Sequence, residues 1–492
     1  MDDLETKRST AIKKINSVSP CFCLAKWTQV TIHLQHGHTH SCHHPVPHHI
    51  PLEEIEKNPA ALHNTVHKKK MRKMMLEGRR PPECDYCWKI EDSGTVRYSD
   101  RVVKSAEEWS IDRFGEVLSN GWENDISPSY LEVSFGHSCN FNCLYCFPDV
   151  SSTIYNDYKQ NGSYPTIYRS TLEYNKENHL TPIPPNDPNP YVDAFWEWFP
   201  KIQNKLKVFR ITGGEPLINP NTFKFLNYIV DNPMPKAEVA INSNLCVPEK
   251  NFQKFISSLD RIEIGEHVRL LKIYASVDTY GKHAEYIRHG LDYNLFLQRI
   301  EILLERYPSI LLGIMCTFNA ISVVSFKSFL KDLLKIKTDH CNDDKTYPPR
   351  LLLDTPYLRY PPHFTLRILP REFSFYLNDA LDFIKANMLV SEGEKKMGFI
   401  EYELNSFERV CNWFHSLPRE DDPEYHALRY DFYLAIQETD RRKNLSFAKM
   451  CPEYEEFLLE CKNSNNKRSK EHQKKSDEAI LAMKNYQKAQ ID

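Results

Sequence analysis

The stretch Gly136-His137-Ser138-Cys139-Asn140-Phe141-Asn142-Cys143-Leu144-Tyr145-Cys146-Phe147 decides both the fold class and the chemistry of this chain. Its three cysteines have the spacing C-x3-C-x2-C and directly follow a strand-like run, residues 130–135. Iron–sulfur clusters are held by cysteine thiolates, often four of them. Three thiolates on one loop therefore predict a four-iron cluster whose fourth iron stays open for a substrate or cofactor.

A second motif, Arg210-Ile211-Thr212-Gly213-Gly214-Glu215-Pro216-Leu217, follows another β-prone run at residues 207–209. Two further runs come later in the chain: Ile241-Asn242-Ser243-Asn244, and Tyr274-Ala275-Ser276-Val277-Asp278, which leads into Glu285-Tyr286-Ile287-Arg288-His289-Gly290. Taken in this order with the three cysteines, these motifs resemble the radical S-adenosylmethionine (SAM) superfamily. The resemblance covers residues 128–370 and extends to the branch that modifies peptides or proteins, related to enzymes with SPASM or twitch domains.

The resemblance implies a site and a reaction. Cys139, Cys143 and Cys146 would bind a [4Fe-4S] cluster, and the free iron would take the amino and carboxylate groups of SAM. An electron donor of flavodoxin or ferredoxin type would reduce the cluster. SAM would then be cleaved to a 5′-deoxyadenosyl radical that removes hydrogen from a peptide or protein. The implied contacts are Gly213, Gly214 and Glu215 at the SAM amino group, Ser276 and Arg288 at its carboxylate or ribose, Tyr145 near the adenine, and Asn242 and Asp278 towards the substrate.

The order of apolar segments predicts an α/β fold. Candidate strands at residues 130–135, 207–212, 238–242, 271–277, 310–317 and 363–369 alternate with amphipathic stretches. Six strand–helix units predict a parallel sheet with right-handed crossovers, in line with the partial (β/α)6 TIM-like barrel that the resemblance implies. We predict four regions: a Cys/His-rich extension (1–127), the core (128–370) with an insertion read as a lid (150–190), a mainly helical cap (371–461), and a basic, mobile tail (462–492).

The extension at 1–127 carries a second candidate site. Residues 17–92 contain Cys21, Cys23 and Cys42, a histidine-dense stretch, and the C-x2-C pair Cys84 and Cys87. Such a pair completed by another cysteine or a histidine is typical of a metal site. An auxiliary iron–sulfur cluster, a structural zinc, and redox-silent cysteines beside surface histidines all remain open at this point.

The composition excludes fewer functional classes than the motifs do. The formal net charge is −3, so no global charge favours nucleic acid or a membrane. No long apolar run predicts a membrane-spanning helix, and the N-terminal residues lack the features of a signal peptide, so we expect a cytoplasmic protein. A basic segment at residues 68–75 and a lysine-rich run at 462–475 keep two alternatives open. These are a nucleoside, nucleotide or RNA substrate, and a non-catalytic, metal-stabilised module that binds nucleic acid or protein.

Overall fold

The computed structural model describes residues 2–94, 98–340, 349–389, 398–419 and 422–489. Its strands are β1 Gln29–His33, β2 His38–His40, β3 His48–His49, β4 Tyr130–Ser134, β5 Asn142–Cys143, β6 Val208–Thr212, β7 Met234–Ser243, β8 Val268–Ser276, β9 Arg288–His289, β10 Leu311–Met315 and β11 Leu351–Asp354. Its α-helices are α1 Asp2–Asn16, α2 Ala25–Thr28, α3 Leu52–Lys57, α4 Val66–Leu76, α5 Asp85–Asp92, α6 Asp100–Ala106, α7 Glu108–Ile111, α8 Phe114–Asn120, α9 Ser152–Asn161, α10 Leu172–Glu177, α11 Pro190–Ile202, α12 Pro220–Asp231, α13 Glu249–Leu259, α14 Gly281–Ile287, α15 Tyr293–Arg306, α16 Phe326–His340, α17 Ser374–Ala386, α18 Glu401–Ser416, α19 Pro423–Lys443, α20 Phe447–Met450, α21 Glu455–Asn463 and α22 Lys470–Ala489.

The chain divides into two units, each made of several segments. Unit 1 comprises Met1–His137, Pro182–Ile241 and Phe255–Leu271. Unit 2 comprises Ser138–Thr181, Asn242–Lys254 and Lys272–Asp492.

Unit 1 contains strands in the order β7-β6-β4-β1-β2-β3. Strands β7, β6, β4 and β1 are parallel to their neighbours, with Leu131 of β4 opposite Phe209 of β6. The edge formed by β1, β2 and β3 is antiparallel. Leu131 and Phe209 are fully buried, as strands covered on both faces require.

The aromatic face of α11 explains how unit 1 covers its parallel strands. Asn189 begins this helix by accepting hydrogen bonds from the backbone N–H groups of Tyr191 and Val192, at 3.0 and 3.2 Å. Phe199 on α11 lies 5.2 Å from the ring of Phe209 on β6, measured between centroids. Burying such aromatic side chains supplies a large part of the hydrophobic free energy of a core.

Unit 2 contains the parallel strands β8-β10-β11 and a small antiparallel pair, β5 and β9. In the small pair, Asn142 lies opposite His289 and Cys143 opposite Arg288. The helices after β11 supply most of the remaining mass of this unit.

The predicted α/β class is confirmed, with a Cys/His-rich extension before the core strands and a mainly helical region after them. Six strands, β4, β6, β7, β8, β10 and β11, each pair in parallel with at least one other and alternate with helices along the chain. This is the strand–helix succession of the (β/α)6 class. Five of the six predicted strands are present at the expected positions.

The sixth predicted strand, at residues 363–369, is wrong. This segment forms 3-10 turns at Pro362–Phe364 and Leu366–Ile368, and the sixth strand is β11, which precedes it. Prolines flank the segment on both sides, and the Thr365 hydroxyl accepts a bond from the backbone N–H of Arg367 at 3.3 Å. Local side-chain-to-backbone bonds of this kind compete with a sheet ladder.

The basic segment near residue 70 forms α4, but two of its cations point inwards. Lys68 and Arg72 are fully buried. Lys68 donates to the hydroxyl of Thr39 at 2.9 Å, and Arg72 donates to the side chain of Asn64 at 2.8 Å. This helix therefore contributes to the core of unit 1 through two of the residues that make the segment basic.

The insertion at residues 150–190 contains α9 and α10. Asp157 on α9 pairs with the fully buried guanidinium of Arg442 at 2.8 Å, and the backbone N–H of Ile167 donates to Asp431 at 2.8 Å. The first half of the insertion is thus fastened to α19 within unit 2, and its role as a lid stays a prediction.

The tail includes α22. Within the described residues, no helix combines the length and apolarity needed to cross a bilayer.

A buried ion pair links α16, which precedes β11, to α18, which follows it. The ammonium group of Lys337 on α16 lies 2.8 Å from the carboxylate of Glu403 on α18, and both side chains are almost wholly excluded from solvent. Glu403 also accepts hydrogen bonds from the backbone N–H groups of Leu353 and Ile400, at 2.8 and 2.9 Å. Its carboxylate therefore binds the backbone of β11 and the backbone at the start of α18.

We predict that Lys337→Met lowers the free energy of unfolding by about 3–5 kcal/mol, because it leaves a buried carboxylate without its cation. Lys337→Met combined with Glu403→Gln should lose less, because the amide oxygen still accepts a backbone bond without carrying charge. Equilibrium urea denaturation measures both. Equal losses in the single and double variants would contradict this account.

Candidate functional site

The cysteine loop after β4 is held at several points within unit 2. The backbone N–H of Leu144 donates to the carbonyl of Ile287 at 2.9 Å, continuing the β5–β9 pairing. The backbone N–H of Cys139 donates to the hydroxyl of Ser152 on α9 at 3.0 Å. Cys139, Cys143 and Cys146 are free thiols, each only partly exposed.

The surroundings of these thiols fit a thiolate-ligated cluster. The backbone N–H of Phe141 lies 3.4 Å from the sulfur of Cys139, a contact of the type that stabilises cluster sulfurs. Burial raises the pKa of Cys143, whereas the charges of Arg288 and Lys443 act in the opposite direction. A set of clustered thiols with cations beside it suits an anionic metal centre, and metal binding displaces the thiol protons.

A buried carboxylate organises the residues around this loop. Asp278 is fully buried and receives the hydroxyl of Tyr145 at 2.8 Å. Arg288 donates to the same carboxylate through Nε and Nη2, at 3.0 and 2.9 Å. The backbone N–H of Thr317, just beyond β10, donates at 3.0 Å. Three residues that the sequence singled out, Tyr145, Asp278 and Arg288, are thereby brought together.

The geometry gives Arg288 a partner that sequence reasoning did not assign. Its guanidinium forms a two-point pair with Asp278 and lies 5.6 Å above the ring of Tyr145. A bidentate arginine–carboxylate pair is strong and directional. Contacts of Arg288 and Tyr145 with SAM stay predictions.

The two remaining predicted site residues of unit 2 lie at the carboxyl ends of strands. Ser276 ends β8, and Asn242 is the penultimate residue of β7; both are half-buried.

The cysteine loop is held by Asn140, Asn244 and Lys443, three residues whose supporting roles the sequence did not reveal. The side chain of Asn140 donates to the carbonyl of Cys246 at 2.9 Å and accepts from Asn244 at 2.9 Å. Lys443, at the end of α19, donates to the carbonyl of Asn142 at 2.7 Å. Burial lowers the pKa of Lys443 to about 8. Asn140 lies inside the motif, but no local pattern identifies a lysine some three hundred residues away.

The Gly213-Gly214-Glu215 turn lies in unit 1, after β6. Gly213 has φ +116, and a Cβ atom there would lie 2.4 Å from the Ser134 hydroxyl oxygen and 2.8 Å from the Gly136 carbonyl oxygen. The backbone N–H of Gly214 donates to that same carbonyl at 3.3 Å. Glu215 is buried and accepts from the backbone N–H of Leu217 at 3.0 Å. The turn is therefore packed tightly against the residue that opens the cysteine motif, and its contact with SAM stays a prediction.

The tentative second site lies in unit 1. Cys84 and Cys87 line a cavity that is partly open to solvent, together with Cys23 and Cys42. Among the residues that the structure describes, no group of three or more His, Cys, Asp or Glu side chains is arranged around a single metal ion. Cys23 and Cys42 thus share this cavity with the C-x2-C pair, and Cys21 packs against Cys87.

Comparisons with known proteins agree with the motif. Residues 133–330 match the model of the Radical SAM superfamily. A GTP 3′,8-cyclase from Campylobacter lari is 28% identical over 120 residues, which are 24% of this chain and 25% of the cyclase. The chain thus spans about a quarter of the length of that curated relative.

The similarity to solved structures is low. TYW1 with a lysine–pyruvate adduct bound has a TM-score of 0.27 at 13% identity, covering 56% of this chain and 78% of TYW1. Streptococcus suis SuiB bound to S-adenosylmethionine has a TM-score of 0.30 at 12% identity, covering 65% and 60%.

The match assigns residues 133–330 to a Radical SAM domain. A domain of this superfamily implies a [4Fe-4S] cluster and SAM as cofactors. Ligation of that cluster by Cys139, Cys143 and Cys146 stays a prediction.

Close packing at Gly213 gives a testable consequence. Gly213→Ala should lower the free energy of unfolding by at least about 1 kcal/mol, because alanine is unfavourable where φ is positive. The added methyl group would also collide with Ser134. Denaturant titration measures the loss.

Gly78→Ala is the matched control, because Gly78 has φ +73 but no atom lies within 4 Å of the position that an added methyl group would take. The Gly78→Ala variant should lose only the stability that alanine costs at positive φ, because its methyl group collides with no other atom. If Gly78→Ala were as destabilising as Gly213→Ala, the collision would play no part.

Proposed function

We propose that this protein is a radical SAM enzyme acting on a peptide or protein. The observation that carries the proposal is the loop bearing Cys139, Cys143 and Cys146, held in unit 2 beside Arg288 and Lys443. When bound, the cluster supplies the electron that cleaves SAM to methionine and a 5′-deoxyadenosyl radical, which abstracts hydrogen from the substrate. A flavodoxin- or ferredoxin-like donor supplies that electron, and a reducing cytoplasm suits an oxygen-labile centre.

The chain's own residues supply ligation, orientation and exclusion of water. Cys139, Cys143 and Cys146 provide the thiolates. Asp278 holds Tyr145, which lies between two of these cysteines, in one orientation. Because the loop is only partly exposed, the access of competing hydrogen donors and water to reactive species is limited. Gly213, Gly214, Glu215, Asn242, Ser276 and Arg288 are the residues proposed to bind SAM.

Two observations on charge support a peptide or protein over a nucleic acid. Lys68 and Arg72 of the basic helix are buried in unit 1, where they cannot meet phosphates. On α22, Lys475 pairs with Glu471 at 2.6 Å and Lys474 lies 3.9 Å from Glu478, so acidic neighbours offset part of the tail's charge. Phosphate recognition depends on accessible cations.

A nucleotide substrate is the second candidate, favoured by one observation. The relative from Campylobacter lari is by name a GTP cyclase, although the match spans about a quarter of its length.

A fractionation experiment separates the two substrate classes. Extract from cells grown in heavy water is divided into macromolecular and small-molecule pools, and deuterium transfer into 5′-deoxyadenosine is measured by mass spectrometry.

We expect deuterium transfer from the macromolecular pool, with the signal removed by prior protease treatment and kept after ribonuclease. Protease identifies a polypeptide as the source because each treatment destroys one class of polymer. Transfer from the nucleotide pool, or loss of signal after ribonuclease, would overturn the peptide assignment.

The enzyme assignment itself is tested by Cys143→Ala. Anaerobically reconstituted parent protein should release 5′-deoxyadenosine with dithionite and SAM, and the variant should fall to background because one of the three cluster thiolates is lost. Chromatographic assay of 5′-deoxyadenosine gives the measurement.

Cys411→Ala serves as control, since Cys411 is a buried cysteine of α18 outside the loop and its variant should keep the parent activity. A Cys143→Ala protein that cleaves SAM as fast as the parent would refute catalysis at this loop, and a parent that releases no 5′-deoxyadenosine would favour the non-catalytic binding module.

A further inference from the structure

The cations beside the cysteine loop differ in how far carboxylates neutralise them. Arg288 forms a two-point ion pair with the buried carboxylate of Asp278. Arg442, near the end of α19, pairs with Asp157 at 2.8 Å and with Glu438 at 2.6 Å. The positive charge of both guanidinium groups is therefore balanced by carboxylates within hydrogen-bond distance.

Lys443 lies beside the same loop without a carboxylate partner. It is the last residue of α19, and its ammonium group donates to the backbone carbonyl of Asn142 at 2.7 Å. Asn142 directly precedes Cys143. Across the part of the chain that the structure describes, Lys443 forms an ion pair with no carboxylate, so its unit of positive charge is not cancelled at short range.

The position of Lys443 is fixed through its neighbour in the chain. The side chain of Arg442 is fully excluded from solvent, and its partner Asp157 belongs to α9. Ser152, the first residue of α9, accepts the backbone N–H of Cys139 at 3.0 Å. The end of α19 is therefore fastened to the helix that follows the cysteine loop, which holds Lys443 against that loop.

The charge of Lys443 acts on the sulfurs of the loop. It opposes the rise in the pKa of Cys143 that burial causes, and negative charge on Cys143 and Cys146 in turn opposes the fall in the pKa of Lys443. Lys443 is half-buried, where water and salt screen charges less than at the surface. A cation in this place stabilises negative charge on the loop.

We propose that Lys443, a residue outside the cysteine motif, favours the reduced state of the cluster assigned to this loop. This role rests on the proposed function, in which Cys139, Cys143 and Cys146 hold a four-iron cluster. Reduction passes one electron from the donor to the cluster, makes and breaks no bond, and leaves the site one unit more negative. Local charge is one of the factors that set the potential of such a centre. An uncancelled cation stabilises the more negative state by more than the less negative one.

The hydrogen bond to Asn142 also gives Lys443 a structural role, and the two roles predict different losses. A residue that only held the loop in place would, when removed, lower the amount of iron bound. A residue that acts through its charge would instead shift the equilibrium between oxidised and reduced cluster while the iron content stays the same.

The experiment measures that equilibrium without SAM, in anaerobically reconstituted protein, at the solution potential where the parent is half reduced. Electron paramagnetic resonance gives the ratio of reduced to oxidised cluster, and iron analysis gives the loading. Lys443→Met should lower the ratio about three- to tenfold, because the charge is lost. A tenfold change corresponds to about 59 mV for one electron. Iron should stay at about four per chain.

Two further variants of Lys443 separate its charge from its hydrogen bond. Lys443→Arg keeps a positive charge and a donor, so its ratio should lie within about twofold of that of the parent. Lys443→Gln keeps an N–H donor without the charge, so it should reproduce the shift of Lys443→Met, and it replaces that variant where the loss of the donor lowers the iron content.

Lys385→Met is the matched control for the net charge of the chain. Lys385 is a cation of α17 in unit 2 that pairs with Glu408 at 3.2 Å. The variant removes the same charge at a place where the partner is a carboxylate and not the cysteine loop. It should keep the ratio of the parent.

The outcomes separate this role of Lys443 from the proposed function. Unchanged ratios in Lys443→Met and Lys443→Gln, at full iron content, would overturn the role of Lys443 alone. An equal shift in Lys385→Met would also overturn it, because the effect would then follow net charge. A parent that binds no four-iron cluster would overturn the proposed function together with this role, and the iron content of the parent therefore distinguishes the two failures.

Discussion

The conformation of the cysteine loop depends on one buried carboxylate, that of Asp278. A fully buried carboxylate is costly unless hydrogen bonds and a cation replace its water. Here Tyr145, Arg288 and the backbone of Thr317 supply four such bonds. Each donor comes from a different part of unit 2, so satisfying the charge also fixes the loop, the β9 segment and the end of β10 relative to one another.

This arrangement links folding to cofactor binding. Tyr145 lies between Cys143 and Cys146, so holding its hydroxyl limits where both sulfurs can go. Burial raises the pKa of both thiols, and for Cys143 the charge of Arg288 works against that rise. Thiolate ligation therefore releases protons, and a pre-positioned loop reduces the entropy lost when the ligands are ordered. The polar network and the cluster site stabilise the same conformation.

The features that could be predicted from the sequence are those encoded by short, continuous segments. Strands β4, β6, β7, β8 and β10 are apolar runs that need no tertiary information, and the C-x3-C-x2-C motif lies within one loop. The sixth strand was missed because residues 363–369 are as apolar as β11 but are flanked by prolines and held by the Thr365 hydroxyl. The pairing of Arg288 with Asp278 and the role of Lys443 were missed because both depend on residues that only the fold brings together. The burial of Lys68 could not be predicted for a related reason, since its hydrogen bond to Thr39 joins two segments that only the fold brings together.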